Sequence, residues 1–294
     1  MTDIIVSVLL ATSLIGAYAL LAIGIVAIYQ ASKVLNLAHG TMAMVPAYVV
    51  YSLSKVGVPL VPAVLLGVVS GGALGWAVER VFVRPLRGES ETAQTVGTVA
   101  ALGLILSVTV RIWGTTPQRA VAVFPTGGID VGRSSIRYGE LGLFVTMIVI
   151  AAALYTVFRY SDFGIIIRGT AENRRAASLM GVNPQRVTNA VWMIGGALAG
   201  LAGILLAAIT NLSPYTLSLQ ALPAFVAALI GGLGSFPGAV AGGATVGLAF
   251  GFVPRMGGLG HMQGAPQFVL ACLAIAAMAV RGSGLSGSDI RASR

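Results

Sequence analysis

Long, continuous apolar stretches run through the chain at residues 4–28, 34–54, 58–83, 94–113, 139–158, 187–209, 220–234, 238–253 and 266–280. Several reach the roughly 20 residues that a helix needs to cross a bilayer, and those after residue 220 fall short, which predicts tilted, broken or re-entrant pieces there. The apolar positions do not alternate as barrel strands do. The pattern therefore predicts an all-α integral membrane protein, a polytopic bundle of about eight to ten transmembrane or re-entrant helices. No soluble domain fits between the stretches, so residues 1–294 read as one transmembrane domain. Met1-Thr2-Asp3 lacks a basic flank, and the apolar run after it is too long for the core of a cleavable signal, so it reads as the first span.

Two polar segments interrupt this pattern. Arg159 to Arg186, RYSDFGIIIRGTAENRRAASLMGVNPQR, carries stop and start signals around a short helix. Thr170 is expected to cap it, with Glu172 in its first turn, where the helix dipole favours an anion. Gly181 supplies a left-handed stop, and Asn183-Pro184 caps and starts the next helix. Ala176, Leu179 and Met180 fall at i, i+3 and i+4 and share one face, while Arg174, Arg175 and Ser178 point elsewhere. The other segment, 114–140, alternates at Ala120-Val121-Ala122-Val123 and has turn signals at Pro125-Thr126-Gly127-Gly128, predicting a small β-hairpin or folded loop. Within the apolar stretches, glycines recur four residues apart: Gly67, Gly71 and Gly75; Gly196 and Gly200; Gly243, Gly247 and Gly251. Such rows predict close helix packing, either static or sliding.

Composition agrees with the pattern. Mean hydropathy is +0.91 and 9% of residues are charged, against about 25% in soluble domains. The net charge of +9 does not form a nucleic-acid footprint, because the basic residues alternate by loop. With 29–33, 84–93, 159–186 and the C-terminal segment placed in the cytoplasm, twelve of the 18 Lys and Arg residues lie inside and six outside. The positive-inside rule then puts the N-terminus outside and the C-terminus in the cytoplasm. This makes 159–186 a cytoplasmic segment and 114–140 an extracytoplasmic loop.

Enzyme chemistry has no visible seat. There is no phosphate loop, H-E-x-x-H or G-x-S-x-G motif, and two histidines, His39 and His261, make no multi-histidine metal site. Neither catalytic residues nor metal nor cofactor are assigned. Cys272, the one cysteine, lies within an apolar stretch, so there is no disulfide framework. Glycine-rich Gly231 to Gly238 has no lysine nearby and reads as a turn between short helices. The carboxylates Glu79, Asp162 and Glu140 fall at helix ends rather than mid-membrane, where an ion-coupled carrier places them. Energy for uphill transport must therefore come from another chain, an ATPase docking on the 159–186 segment.

Asn36-Leu37-Ala38-His39-Gly40-Thr41 is a polar break in an apolar stretch. One reading is a broken helix lining a substrate pathway, where freed backbone groups meet polar ligands. The other is an ordinary helix start at the membrane surface, with Asn36 as its cap.

Asn36 to Gly40, the Arg159–Val187 loop, and Phe225 to Gly243 with its GGLGSFPGA core stand in that order, with a weaker match from Val96-Gly97-Thr98 through Leu104. In these motifs the chain resembles, nearly end to end, the permease subunits of branched-chain amino acid ABC importers of the leucine/isoleucine/valine type. The resemblance implies a bacterial inner-membrane permease paired with a second, homologous permease, two cytoplasmic ATP-binding subunits and an extracytoplasmic solute-binding protein. It implies that the 159–186 island couples to the ATPase through Arg174, Arg175, Ala176, Leu179, Met180 and Gly181. The substrate pathway falls to Asn36, His39, Gly40, Thr41 and Thr98. Thr41 stands where the family often has an acid, Pro46 where an apolar residue is commoner, and Pro223 just before the Phe225 motif. These departures bear on cargo: branched-chain or other hydrophobic amino acids, or alternatively urea, short amides or aromatic acids. A secondary carrier or channel, and a membrane-embedded enzyme, remain readings from other classes.

Overall fold

The structure, a computed structural model, describes residues 2–121, 123, 127–131, 134–138, 142, 145, 146, 149, 150, 152, 153, 156, 157, 160–255, 262 and 264–280. The turn at Pro125-Thr126, most of the 139–158 stretch, Glu140, His261 and the basic C-terminal tail, all assigned above, lie outside these residues. The described helices are α1 (Thr2–Ser32), α2 (His39–Lys55), α3 (Leu60–Val78), α4 (Glu91–Trp113), α5 (Asp162–Glu172), α6 (Arg174–Leu179), α7 (Pro184–Ile209), α8 (Pro214–Leu219), α9 (Ala221–Gly231), α10 (Phe236–Phe252) and α11 (Ala265–Val280). A π-helical turn, Glu79–Val83, and a 3-10 turn, Arg84–Leu86, extend α3.

Among the described residues, five stretches are long and apolar enough to cross a membrane: Leu14–Ser32, Leu60–Leu86, Glu91–Trp113, Pro184–Ile209 and Pro214–Gly231. The protein is thus a multi-pass membrane protein. Two of the apolar runs after residue 220 are indeed short helices, α10 with 17 residues and α11 with 16, whereas the 220–234 run joins α8 in the 18-residue stretch Pro214–Gly231. Gln220 interrupts α8 and α9, and Pro223 sits in the first turn of α9, where a missing amide costs little.

Helix α1 is the axis of the bundle. Its apolar window is 78% buried, against 17% for α4, whose Val96, Leu104, Val108 and Ile112 face outward. α1 packs on α7 and α10, α7 on α2 and α3, and α9 on α10. The glycine rows make these contacts: Gly243, Gly247 and Gly251 lie on Ala19, Ile15 and Ala11 of α1, and Gly71 of α3 meets the backbone of Gly196 on α7. Close packing explains the four-residue spacing. Pro46, inside α2, fits a gap of the same kind, its ring against Gly71 and Gly200.

A two-stranded hairpin does occur in the polar segment, but one step later than the alternation suggested. β1 (Gly128–Val131) pairs antiparallel with β2 (Ser134–Arg137), Gly128 opposite Arg137. Val121 and Val123 instead pack against the core, and Gln118 pairs with Leu212. Burial of those alternating valines, not strand pairing, accounts for their pattern.

Candidate functional site

Two breaks in the helical bundle carry the predicted site residues, one buried and one exposed. The buried one begins where α1 ends. Lys33 takes a left-handed backbone (φ 59°), its amide bonded to the Tyr29 carbonyl at 2.7 Å, and the chain turns inward. Asn36 is 1% exposed, and His39 and Thr41 are 0% exposed, so these polar groups sit inside the packed bundle. Asn36 Oδ1 accepts from the Ala38 amide at 3.1 Å and its Nδ2 donates to Met42 Sδ at 3.0 Å. The Thr41 hydroxyl donates to the Ala38 carbonyl at 2.7 Å. α2 starts at His39 with Ala38 as its cap and no side-chain capping bond, so Asn36 acts two residues earlier than a helix cap would.

The Thr98 hydroxyl, from α4, accepts from the Leu37 amide at 3.0 Å and lies within donating reach of the carbonyls of Leu35 (3.2 Å) and Thr95 (2.7 Å). The structure thus brings the five residues that the sequence singled out for a pathway, Asn36, His39, Gly40, Thr41 and Thr98, into one cluster. A Cβ on Gly40 would overlap the Ser218 carbonyl, which seats the start of α2 directly on the α8–α9 break. Neither ring nitrogen of His39 makes a hydrogen bond of ordinary geometry, although the Leu21 carbonyl lies beside the ring. An unpaired buried polar group costs about 1–3 kcal/mol, so this ring retains bonding capacity that its surroundings do not satisfy.

At the other end of α2 a second polar set closes the bundle. Tyr51 donates to Gln118 Oε1 at 2.9 Å, Trp113 Nε1 to Ser52 Oγ at 2.8 Å, and Tyr48 to the Leu212 carbonyl at 3.3 Å. Nothing in their spacing announced this set, because its members come from four separate parts of the chain: α2, the end of α4, the polar 114–140 segment and the connection before α8.

The exposed break lies at α6. Ser161 caps α5, accepting from the Gly164 amide at 3.2 Å. Thr170 does not cap α6: it is 1% exposed inside α5, and Glu172 ends that helix instead of starting the next. Asn173 takes the cap, its Oδ1 accepting from the Ala176 amide at 2.9 Å from an extended backbone (φ −149°, ψ 98°). Asparagine here reaches the third amide of the helix without giving up the turn that buries Thr170.

Gly181 (φ 84°) does end α6. Its amide bonds the Ser178 carbonyl at 3.1 Å and that of Val182 bonds the Ala177 carbonyl at 3.0 Å, the paired pattern of a left-handed helix stop. Asn183 then caps α7 through the amides of Gln185 and Arg186, with Pro184 first in the helix. Between these stops, Ala176 is exposed, and Leu179 and Met180 are 84% and 86% exposed. Arg174 and Arg175 are exposed too, and the Arg174 guanidinium turns back to donate to Thr188 Oγ1 at 2.8 Å.

A buried carboxylate beside this segment was visible in the sequence only as a charge at a helix end. Glu79 is 0% exposed and pairs with Arg87 through Oε1, which also accepts from Gln185 Nε2 at 3.2 Å. Asn189, with its amide nitrogen facing the carboxylate, donates to Oε2 at 2.9 Å. Burial holds the Arg87 guanidinium below its ordinary pKa; Glu79 opposes this, and Arg174 and Arg84 reinforce it. Glu79 is the one acid in the 58–83 stretch, which is the signal that could have singled it out.

Comparison with known proteins places this architecture. Over 251 residues the chain is 33% identical to the high-affinity branched-chain amino acid transport system permease protein LivH of Escherichia coli K12, covering 80% of each chain. It is 30% identical to the corresponding permease protein BraD of Pseudomonas aeruginosa, covering 81% of this chain and 82% of that one. Its fold is similar to that in the structure of PsaBC from Streptococcus pneumoniae in complex with Fab, with a TM-score of 0.51 at 14% identity over 92% of this chain and 89% of that chain. The family model for the permease component of branched-chain amino acid transport systems matches residues 7–280, and the chain belongs to that family.

Proposed function

We propose that the chain is the membrane-spanning permease subunit of an ABC importer, moving branched-chain or other hydrophobic amino acids with energy from ATP hydrolysed by partner subunits. The observation that carries this reading is α6: a capped helix of six residues, none of them buried, that ends in two large apolar side chains held in the open. Exposing Leu179 and Met180 to water is unfavourable unless a partner's apolar groove receives them. Arg175, Ala176 and Gly181 rim the knob, so the docking partner is a cytoplasmic ATP-binding subunit.

In this reading residues 159–186 face the cytoplasm, 114–140 face outward, the N-terminus is outside and the C-terminus inside a bacterial plasma membrane. A second homologous permease and a second ATPase complete the complex, and an extracytoplasmic binding protein delivers the cargo. The pathway runs past Asn36, His39, Gly40, Thr41 and Thr98. The unpaired His39 ring offers a donor and an acceptor to the polar end of an amino acid, whose side chain meets the buried Met42, Met44 and Leu21. Support comes from the relatives named above, each a branched-chain amino acid permease protein.

The test is Leu179→Asp in the reassembled complex. ATPase co-purification and leucine uptake into proteoliposomes should both fall at least tenfold, because a charge buried in an apolar groove costs on the order of 2 kcal/mol or more. The variant's thermal stability in detergent should not change, since residue 179 touches no core. Retention of bound ATPase and of uptake by Leu179→Asp overturns the reading.

A further inference from the structure

If α6 is where the ATPase docks, its motion must reach the bundle, and the helix itself buries none of its six residues. It is tied at its two ends only. After its end, half-buried Val182 packs into a small apolar cluster with Ala27, Ala31, Ile167, Val187 and Val191. At its start, Arg174 donates through Nη2 to the Thr188 hydroxyl at 2.8 Å and reaches the Ala31 carbonyl at 3.5 Å. That carbonyl lies in the last turn of α1, where helix carbonyls lack their own partners and the dipole favours a cation. Thr188 is 1% exposed, and its hydroxyl donates on to the Pro184 carbonyl at 3.0 Å.

The first turns of α7 are gripped from a second side as well. Gln185 and Asn189, one turn apart and flanking Thr188, hold the buried Glu79 of the α3 extension. Farther along, α7 has almost no freedom against its neighbours: Gly196 meets the Gly71 carbonyl of α3, and Gly203 meets the Ala43 carbonyl of α2. A helix clamped in this way moves as a strut. Displacing its first turn displaces α3 and the buried break at the start of α2 along with it.

We propose that Arg174 is a positioning residue that latches the coupling segment to α7 through Thr188, so that α7 carries the ATPase stroke to the buried Asn36–Thr41 break. The proposal rests on the docking role of α6. Arg174 is then not part of the surface offered to the ATPase, although it belongs to the same short helix as Leu179. Its guanidinium faces the bundle and two helix ends meet on it.

The experiment uses the full complex in proteoliposomes, with Arg174→Ala, Thr188→Val, the double variant, Arg174→Lys and Thr188→Ser. Three quantities are read: ATPase co-purification, ATP hydrolysis, and leucine moved per ATP. The two disruptive single variants should keep their ATPases and keep hydrolysing, while leucine per ATP falls about fivefold. The double variant should fall no further than either single one, because both remove one bond. Arg174→Lys and Thr188→Ser, which keep a donor and a hydroxyl, should retain most of the coupling.

Loss of ATPase binding in Arg174→Ala would put Arg174 on the docking surface and overturn the latch. An unchanged ratio, or losses that add in the double variant, would overturn it too. Should Arg174→Ala not assemble, Thr188→Val, which keeps the shape of its side chain, decides alone. Failure of the docking reading shows separately, as ATPases that stay bound to Leu179→Asp.

Discussion

The break at Asn36–Thr41 and the break at Asn173–Gly181 are made of the same parts in opposite surroundings. Each uses an asparagine whose side chain accepts from an amide two or three residues ahead, and each contains a glycine that nothing larger can replace without strain. In the first, glycine is required by a neighbour, the Ser218 carbonyl. In the second it is required by its own backbone, at φ 84°, with nothing within 4 Å of where a Cβ would stand. The buried break gathers polar groups inside an apolar bundle, whereas the exposed break pushes apolar groups out of a polar segment. Both invert the ordinary rule of burial for their surroundings.

The largest expected effect separates the two glycines. Gly40→Ala drives a methyl group into backbone and should cost about 3 kcal/mol or more, seen as loss of folded protein by fluorescence-detected size exclusion. Recovery of normal amounts of folded Gly40→Ala would show that the α2–α8 seat yields. Next, Asn36→Leu and His39→Leu should lower leucine uptake per assembled complex about tenfold, a change of roughly 1.4 kcal/mol, without changing the affinity of the binding protein for its ligand. Normal uptake per complex in both would reduce the buried break to a structural element, unlike its exposed counterpart.

Thr98→Val leaves the Leu37 amide without its acceptor and should cost about 2 kcal/mol of stability in thermal melts. The smallest effect belongs to Gly181→Ala. A forced left-handed alanine costs about 1 kcal/mol, confined to the end of α6, and should weaken ATPase co-purification a few-fold while the melting temperature stays put. A fall in global stability as large as that of Gly40→Ala would erase the contrast.

Much of this was legible in the chain because hydropathy and helix punctuation are local signals. The apolar stretches predicted the helices, Gly181 marked the end of α6, and Asn183-Pro184 marked the start of α7. Thr170 was misread because a threonine before a charged pair carries the same local signal whether it caps a helix or is buried in one, and only the packing around Ile167 and Thr170 decides. The hairpin was displaced for a related reason: alternating apolar residues at 120–123 served burial rather than pairing. Thr98 belonged to the site, yet its bond to Leu37 spans 61 residues, a distance that no local pattern encodes. Glu79 and its partners Arg87, Gln185 and Asn189 were hidden in the same way.

Pro46 carries a consequence for how such chains diverge. Its ring has displaced the amide that would have bonded the Met42 carbonyl, and it occupies the space between α3 and α7 that Gly71 and Gly200 leave open. Gly200 answers to that ring, whereas Gly71 is held first by the Gly196 carbonyl and only then by Pro46. A flexible apolar residue at 46 would restore one main-chain bond and relax the constraint on 200 while leaving that on 71 in place. Substitution at 46 and at 200 should therefore be linked in descendants of this sequence, although more than 150 residues separate them.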